Sequence, residues 1–307
     1  MKKENSTWII FIVIFILVGL AFDPLKKGAS NINKSSGSKF DSSISSSPQN
    51  EPNVDDIKSA QAEIKRLEDE LAIKQEDAIK SPYFGKVEMT YIDSLNDPNP
   101  DREYITLYTN LDEKEKINIT GWFLKSSQTG NFAKIGQATL LPFPYSKTDS
   151  DIILHRDDRV ILTKGFSPIG ISFRTNKCTG YFEQDRTFYP PLTQICPAPS
   201  DEKLPRFSSV EERNDECLDI INGLPRCETV NQQFTRDLPD TVSSSCKEYM
   251  LNQINYNTCV AKHFSDVDFP GNEYRFYFKT FGQLWKTRHD EVVLYDQNGL
   301  VVSKIKY

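Results

Sequence analysis

The stretch EVVLYDQNGLVVSKIKY, Glu291 to Tyr307, places two β-branched runs on either side of Asn298-Gly299. Asn-Gly readily takes the two positive φ angles of a type I′ turn, so the spacing predicts a β-hairpin turning at Asn298 and Gly299. Upstream, Tyr274, Phe276 and Phe278 alternate with other residues, as do Val87, Met89 and Tyr91. Ile105 and Leu107 repeat the pattern within EYITLYTN, Glu103 to Asn110. A period of two over a short run marks a strand with one buried face. Further strands are expected at Ile117–Leu124, Ala138–Leu141, Asp158–Thr163 and Ile169–Phe173. Short strands punctuated by turns imply an all-β sandwich.

Several of these blocks, in this order, resemble a known family. Glu103–Asn110, then Ile119-Thr120-Gly121-Trp122-Phe123-Leu124, then Asp158–Leu162, then Leu284-Trp285 with the Val292–Tyr307 hairpin, look like successive blocks of the lamin tail domain. The resemblance covers residues 85–174 and 272–307. It implies an immunoglobulin-like β-sandwich with Trp122 as a core tryptophan and Trp285 packed near the start of the closing hairpin. Nuclear lamins carry this domain behind a very long coiled rod, whereas here any rod is at most a few heptads. Bacterial lamin-tail proteins, often secreted or membrane-anchored at the cell surface, are the closer resemblance.

Residues 175–271 depart from that pattern and hold every cysteine: Cys178, Cys196, Cys217, Cys227, Cys246 and Cys259. An even number, clustered, reads as three disulfides stapling a loop-rich insertion, and sequence does not choose their pairing. Zinc is the rival reading. There is no C-x-x-C knuckle, and Cys259 with His263 is the one close ligand pair, so no metal site is assigned. Asp215–Ile221 and Val242–Ile254 have helical spacing, the second begun by Ser243 to Ser245 as capping residues.

At the N-terminus, Trp8 to Phe22 is an unbroken apolar run covering roughly 22 Å of a ~30 Å hydrocarbon layer. With its flanks it predicts a transmembrane anchor at 8–25 that contacts the lipid bilayer, behind a cytoplasmic tip at 1–7. The alternative is a secreted chain cut near Ala21. Asp23–Asp56 contains nine serines and lacks apolar runs, so residues 26–54 read as a disordered tether. From 55 to 80, Ile57, Ala60, Ile64, Leu67, Leu71 and Ala78 fall on a and d places of a heptad, closed by Pro82. That spacing predicts a helix, either a short coiled coil forming a homodimer or a helix without a partner copy. Disulfides persist on the oxidising side of a membrane, which places the N-terminus inside and the bulk outside.

Formal charge is −6: residues 1–50 carry +3, residues 51–80 carry −4, and the remainder −5. An acidic folded part weakens the case for nucleic acid. The three histidines, His155, His263 and His289, are far apart in sequence. Gly165–Ser172 has the glycine spacing of a phosphate loop with Ile171 in place of its lysine, so it reads as a turn. Asp157-Asp158 reads as a solvated turn, and Arg275 and Lys279 among the aromatics of Tyr274–Phe281 read as part of a strand, with ligand stacking as the alternative. No catalytic residue and no cofactor is assigned. The reading is a membrane-anchored extracytoplasmic lamin-tail-domain protein, a non-catalytic binding or structural module for a protein or cell-envelope component. The alternative is an accessory nucleic-acid-binding protein in extracellular DNA uptake or turnover.

Overall fold

The computed structural model describes residues 54–90, 99, 102–140, 149–206, 211–286 and 288–307. The expected tip and anchor, and the tether up to residue 53, lie outside the described residues. Among those described, no helix is long and apolar enough to cross a membrane. The chain divides into two compact units, Met1–Ala60 and Gln61–Tyr307, and all strands and disulfides belong to the second.

Among the described residues a helix, α1 (Val54–Ala78), comes first, as its heptad spacing predicts. The strands in chain order are β1 (Val87–Met89), β2 (Tyr104–Thr109), β3 (Ile117–Asn118), β4 (Phe123–Ser126), β5 (Phe132–Lys134), β6 (Ala138–Thr139) and β7 (Asp149–Ser150). There follow β8 (Ile153–Leu154), β9 (Arg159–Thr163), β10 (Phe173–Asn176), β11 (Pro270–Tyr277), β12 (Glu291–Tyr295) and β13 (Val301–Lys306). One sheet has the order β1-β2-β9-β11-β10-β6-β7, a second β13-β12-β4-β5, and β3 pairs with β8 alone. β11 runs parallel to β9, and β10 parallel to β6; the other pairs are antiparallel.

A single apolar core joins the two large sheets. Ile105, Leu107, Val160, Leu162, Tyr274 and Phe276 come from the first, and Leu124, Ala133, Val292, Leu294 and Val302 from the second. Trp122 and Trp285 are each 1 % exposed within it. Two sheets sharing one apolar core is an arrangement compatible with a β-sandwich.

Three local expectations change. The stretch 117–124 is not one strand: Gly121 takes φ +93° and turns the chain, so β3 and β4 join different sheets. Residues 169–172 form a turn with Gly170 at φ +81°, and the strand begins at Phe173. The closing hairpin is present, but its turn is not type I′. Asp296 N–H donates to the Leu300 carbonyl at 2.9 Å, and Gly299 N–H donates back to the Asp296 carbonyl at 3.0 Å. With Gly299 at φ +79° this is a three-residue loop, a type I turn ending in a glycine bulge. The fully buried Asp296 carboxylate selects it by accepting from the N–H of Asn298 and Leu300 and from the Ser81 hydroxyl beyond α1.

The cysteine-rich insertion is an elaborated connection between the antiparallel neighbours β10 and β11, closed at its neck where Lys177 N–H donates to the Phe269 carbonyl at 2.9 Å. It carries α2 (Glu211–Gly223), α3 (Gln232–Asp237), α4 (Ser244–Gln253) and α5 (Tyr256–His263). Asn231, Ser243 and Asn255 cap the last three by accepting from the backbone three residues on. All six cysteines are paired, as Cys178–Cys259, Cys196–Cys227 and Cys217–Cys246. Cys178–Cys259 closes the longest loop, with a sequence separation of 81. In the chain-entropy account such a closure stabilises by about 4.5 kcal/mol, and the two shorter ones by about 3.6 kcal/mol each, less than additively because the loops overlap.

Gly180 lies against one of these bridges. A Cβ there would sit 3.1 Å from the Cys196 sulfur and closer still to that of Cys227. Gly180→Ala is therefore expected to lower stability by about 1–3 kcal/mol, the usual cost of overpacking a rigid site. Thermal unfolding of the oxidised proteins checks this, and an unchanged melting temperature would show that the bridge does not press on Gly180.

Candidate functional site

Alternate residues of β11 point to opposite sides of its sheet. Tyr274 and Phe276 enter the core shared by the two sheets, while Glu273, Arg275 and Tyr277 face the insertion. Both sets are buried, Arg275 to 1 % exposure and Glu273 to 4 %. Arg275 is thus no exposed stacking platform. Its Nε donates to Glu273, and its two terminal nitrogens donate to the Pro190 carbonyl and, at 3.0 Å, to the Pro191 carbonyl. Arg159 Nε donates to the other oxygen of Glu273 at 2.6 Å. A buried guanidinium needs most of its five donors satisfied, and the proline-rich stretch supplies carbonyls that no regular strand could spare. Around this anchor Phe173, Phe182, Phe188, Leu192, Tyr256 and Tyr277 form a second apolar core, continuous with the sheet's outer face.

Beside the anchor opens a cavity of about 240 Å³ lined by Arg159, Thr175, Thr179, Thr193, Asn272 and Glu273, with Ile195 at 55 % exposure as its apolar wall. Thr175 and Thr179 donate their hydroxyl hydrogens to the Glu273 and Asn176 carbonyls, which fixes the oxygens as acceptors. Arg159, its side chain 38 % exposed, spends Nε on Glu273 and has further N–H groups to offer a ligand. Such a lining suits reversible binding of a small polar, hydroxyl- or carboxylate-bearing group. A second cavity of about 330 Å³ lies in the distal insertion beside α2 and α3, walled by Ile220, Leu224, Pro225, Val230 and Phe234.

A chain of charged groups crosses the neck. His263 places Nδ1 2.8 Å from Asp266 and Nε2 2.7 Å from Glu202, so both ring nitrogens face carboxylate oxygens. Lys177 joins Asp266 at 2.9 Å and also Asp268, and Lys262 meets Glu202 at 3.2 Å. Burial alone would lower the His263 pKa, but the hydrogen bonds to Glu202 and Asp266 outweigh it and hold it above 6.5. Glu202 is raised by burial and lowered further by His263 and Lys262; Asp266 is lowered first by Lys177 and then by His263. Tyr181 nearby is pushed up to about 12, first by burial and then by Glu202, so its phenol is a neutral donor rather than a nucleophile. The pair Cys259 and His263 is not a metal site: Cys259 is oxidised and His263 is an ion-pair bridge. Among the described residues no cluster of three or more His, Cys, Asp or Glu fits a metal ion.

The turn at Asp157-Asp158 exists, with Asp157 at φ 62°, but only half of it is solvated. Asp158 is 3 % exposed, accepts from His155 N–H at 2.9 Å and lies 3.6 Å from Arg174. Sequence reading did not find the neck site. Its one sequence signal was a charged pair, Glu273 and Arg275, among the aromatics Tyr274, Phe276 and Tyr277.

No protein family, no curated protein and no solved structure matches this chain.

Arg275→Met removes a buried donor set and strands the prolyl carbonyls. It should cost about 3–5 kcal/mol in urea unfolding, the range for breaking a buried ion pair. A loss under about 1 kcal/mol would mean the pair contributes no more than a surface bridge. For His263, a folded pKa above 6.5 gives stabilisation fully present below pH 6.5 and lost as pH rises through the raised value. The wild type should therefore lose melting temperature across that window relative to His263→Gln. Parallel curves for the two proteins would contradict the bridge.

Proposed function

We propose that this chain is a membrane-anchored, extracytoplasmic, non-catalytic module with a lamin-tail-like, immunoglobulin-like β-sandwich, binding a polar cell-envelope component at the neck of its insertion. The observation that carries the reading is the complete pairing of six cysteines within one connection. Structural bridges persist chiefly where thiols oxidise, which supports an extracytoplasmic location. The apolar run of Trp8 to Phe22 supplies the anchor, and the orientation rests on the disulfides, because Lys2 and Lys3 on one flank are balanced by Lys26 and Lys27 on the other.

The neck is the part best suited to recognition. It combines threonine hydroxyls, a carboxamide and a half-exposed guanidinium on elements pinned by the Cys178–Cys259 bridge and the Arg275 anchor. Rigid placement of a few polar groups reduces the ordering cost of binding. The acidic balance disfavours nucleic acid as the occupant.

Alkylation of intact cells with a membrane-impermeant thiol reagent tests the location. The expected result is labelling only after an external reductant is added. Six thiols that become reactive only once the cells are lysed, without reductant, would refute it.

A further inference from the structure

We propose that α1 is a docking surface for a helix of another protein whose flanks carry lysine or arginine, and not for a second copy of this chain. This goes beyond the binding role assigned to the neck and does not depend on it. From Gln61 to Ala78 every residue of the helix is exposed, among them Ile64 at 55 %, Leu67 at 52 % and Leu71 at 57 %. These three share one face at heptad spacing, the seam that a partner helix covers. Most helical stability in proteins comes from packing an apolar face, and from Gln61 to Ala78 this face is uncovered.

The C-terminal end of the helix is fixed. Ser81 N–H donates to the Val301 carbonyl at 2.8 Å, Val301 N–H donates to the Ile79 carbonyl at 2.7 Å, and the Ser81 hydroxyl donates to the buried Asp296. The seam is therefore presented from a rigid base on β13, which favours docking by lowering the entropy lost.

Charge decides the occupant. With Ile64 and Leu71 at a and Leu67 at d, the g places are Glu63, Glu70 and Asp77, and the e places are Gln61, Glu68 and Gln75. In a parallel pair of identical helices, g of one faces the following e of the other, setting Glu63 against Glu68 of the second copy and Glu70 against its Gln75. The d layer would also set Lys74 against the same lysine. In an antiparallel pair the acidic g rows face each other. Neither arrangement contains an attractive flank pair. The acids do hold internal partners, Glu63 with Arg66 and Glu70 with Lys74, each at 2.8 Å, but these exposed pairs are weak enough to exchange. A partner with Lys or Arg at its e and g places turns the contacts of Glu63, Glu68, Glu70 and Asp77 attractive.

The test uses the full-length oxidised protein in detergent and two synthetic helical peptides with one Ile/Leu seam, one carrying Lys and the other Glu at e and g. The basic peptide should bind at least about tenfold more tightly than the acidic one, with affinity falling as salt rises. Ile64→Asp with Leu71→Asp should abolish binding while leaving the melting temperature of the folded unit unchanged, since neither side chain is buried. Glu63→Lys with Glu70→Lys, which leaves two added lysines against Glu68 and Asp77 on the flanks, should abolish the preference. Equal binding of both peptides by the wild type, binding of neither, or self-association of the wild type that the Asp pair abolishes would each overturn the proposal.

Discussion

From Glu273 to Tyr277, strand β11 has no solvent face. Its even-numbered residues Tyr274 and Phe276 complete the core between the two large sheets, and its odd-numbered residues Glu273, Arg275 and Tyr277 complete the junction with the insertion. A strand buried on both sides cannot shift register by one residue without exchanging aromatic rings for a guanidinium. The parallel partner β9 on one edge and the antiparallel partner β10 on the other hold it in place. Everything peculiar to this molecule follows from that constraint: where the insertion sits, why prolines border it, and why the neck is rigid.

The chemistry of the neck depends on this rigidity. Arg275 is committed to the prolyl carbonyls and Glu273, and Arg159 donates to the other oxygen of the same side chain, which leaves the polar cavity with a fixed rim. The Cys178–Cys259 bridge closes the insertion, and His263 ties Glu202 to Asp266. A second polar clamp works on the other sheet. Asp290, 1 % exposed, accepts from Ser126 Oγ at 2.6 Å and from three backbone N–H groups, and Asp296 does the same for the closing turn. Buried carboxylates with this many donors specify loop geometry.

Much of the architecture was legible because period-two alternation and heptad spacing are local signals. They locate Ile105 and Leu107 in β2, the closing hairpin and α1 without reference to the rest of the chain. What was not legible is non-local. The parallel alignment of β9 with β11 is a contact between residues more than a hundred positions apart, and nothing in either strand announces it. Arg275 reads only as part of an aromatic strand because its partners, the Pro190 and Pro191 carbonyls, belong to a distant segment. The turn at Asn298-Gly299 follows Asp296 rather than the Asn-Gly pair, because a buried carboxylate that collects two turn N–H groups outweighs a dipeptide preference. The short helices α3 and α5 had their caps, Asn231 and Asn255, in plain sequence, but too few apolar residues to give a period. Pairing of the cysteines depends on these same distant contacts.

The account's central claim is that β11 binds the insertion neck and the core of the sheets into one cooperative unit. Native-state amide hydrogen exchange of the oxidised protein tests it most directly. The Lys177 amide and those of Arg275 to Tyr277 should exchange with the same opening free energy as β9, all sharing the global value. A neck that opens at markedly lower free energy, with β9 and β11 still protected, would contradict the account and make the insertion a separately hinged body.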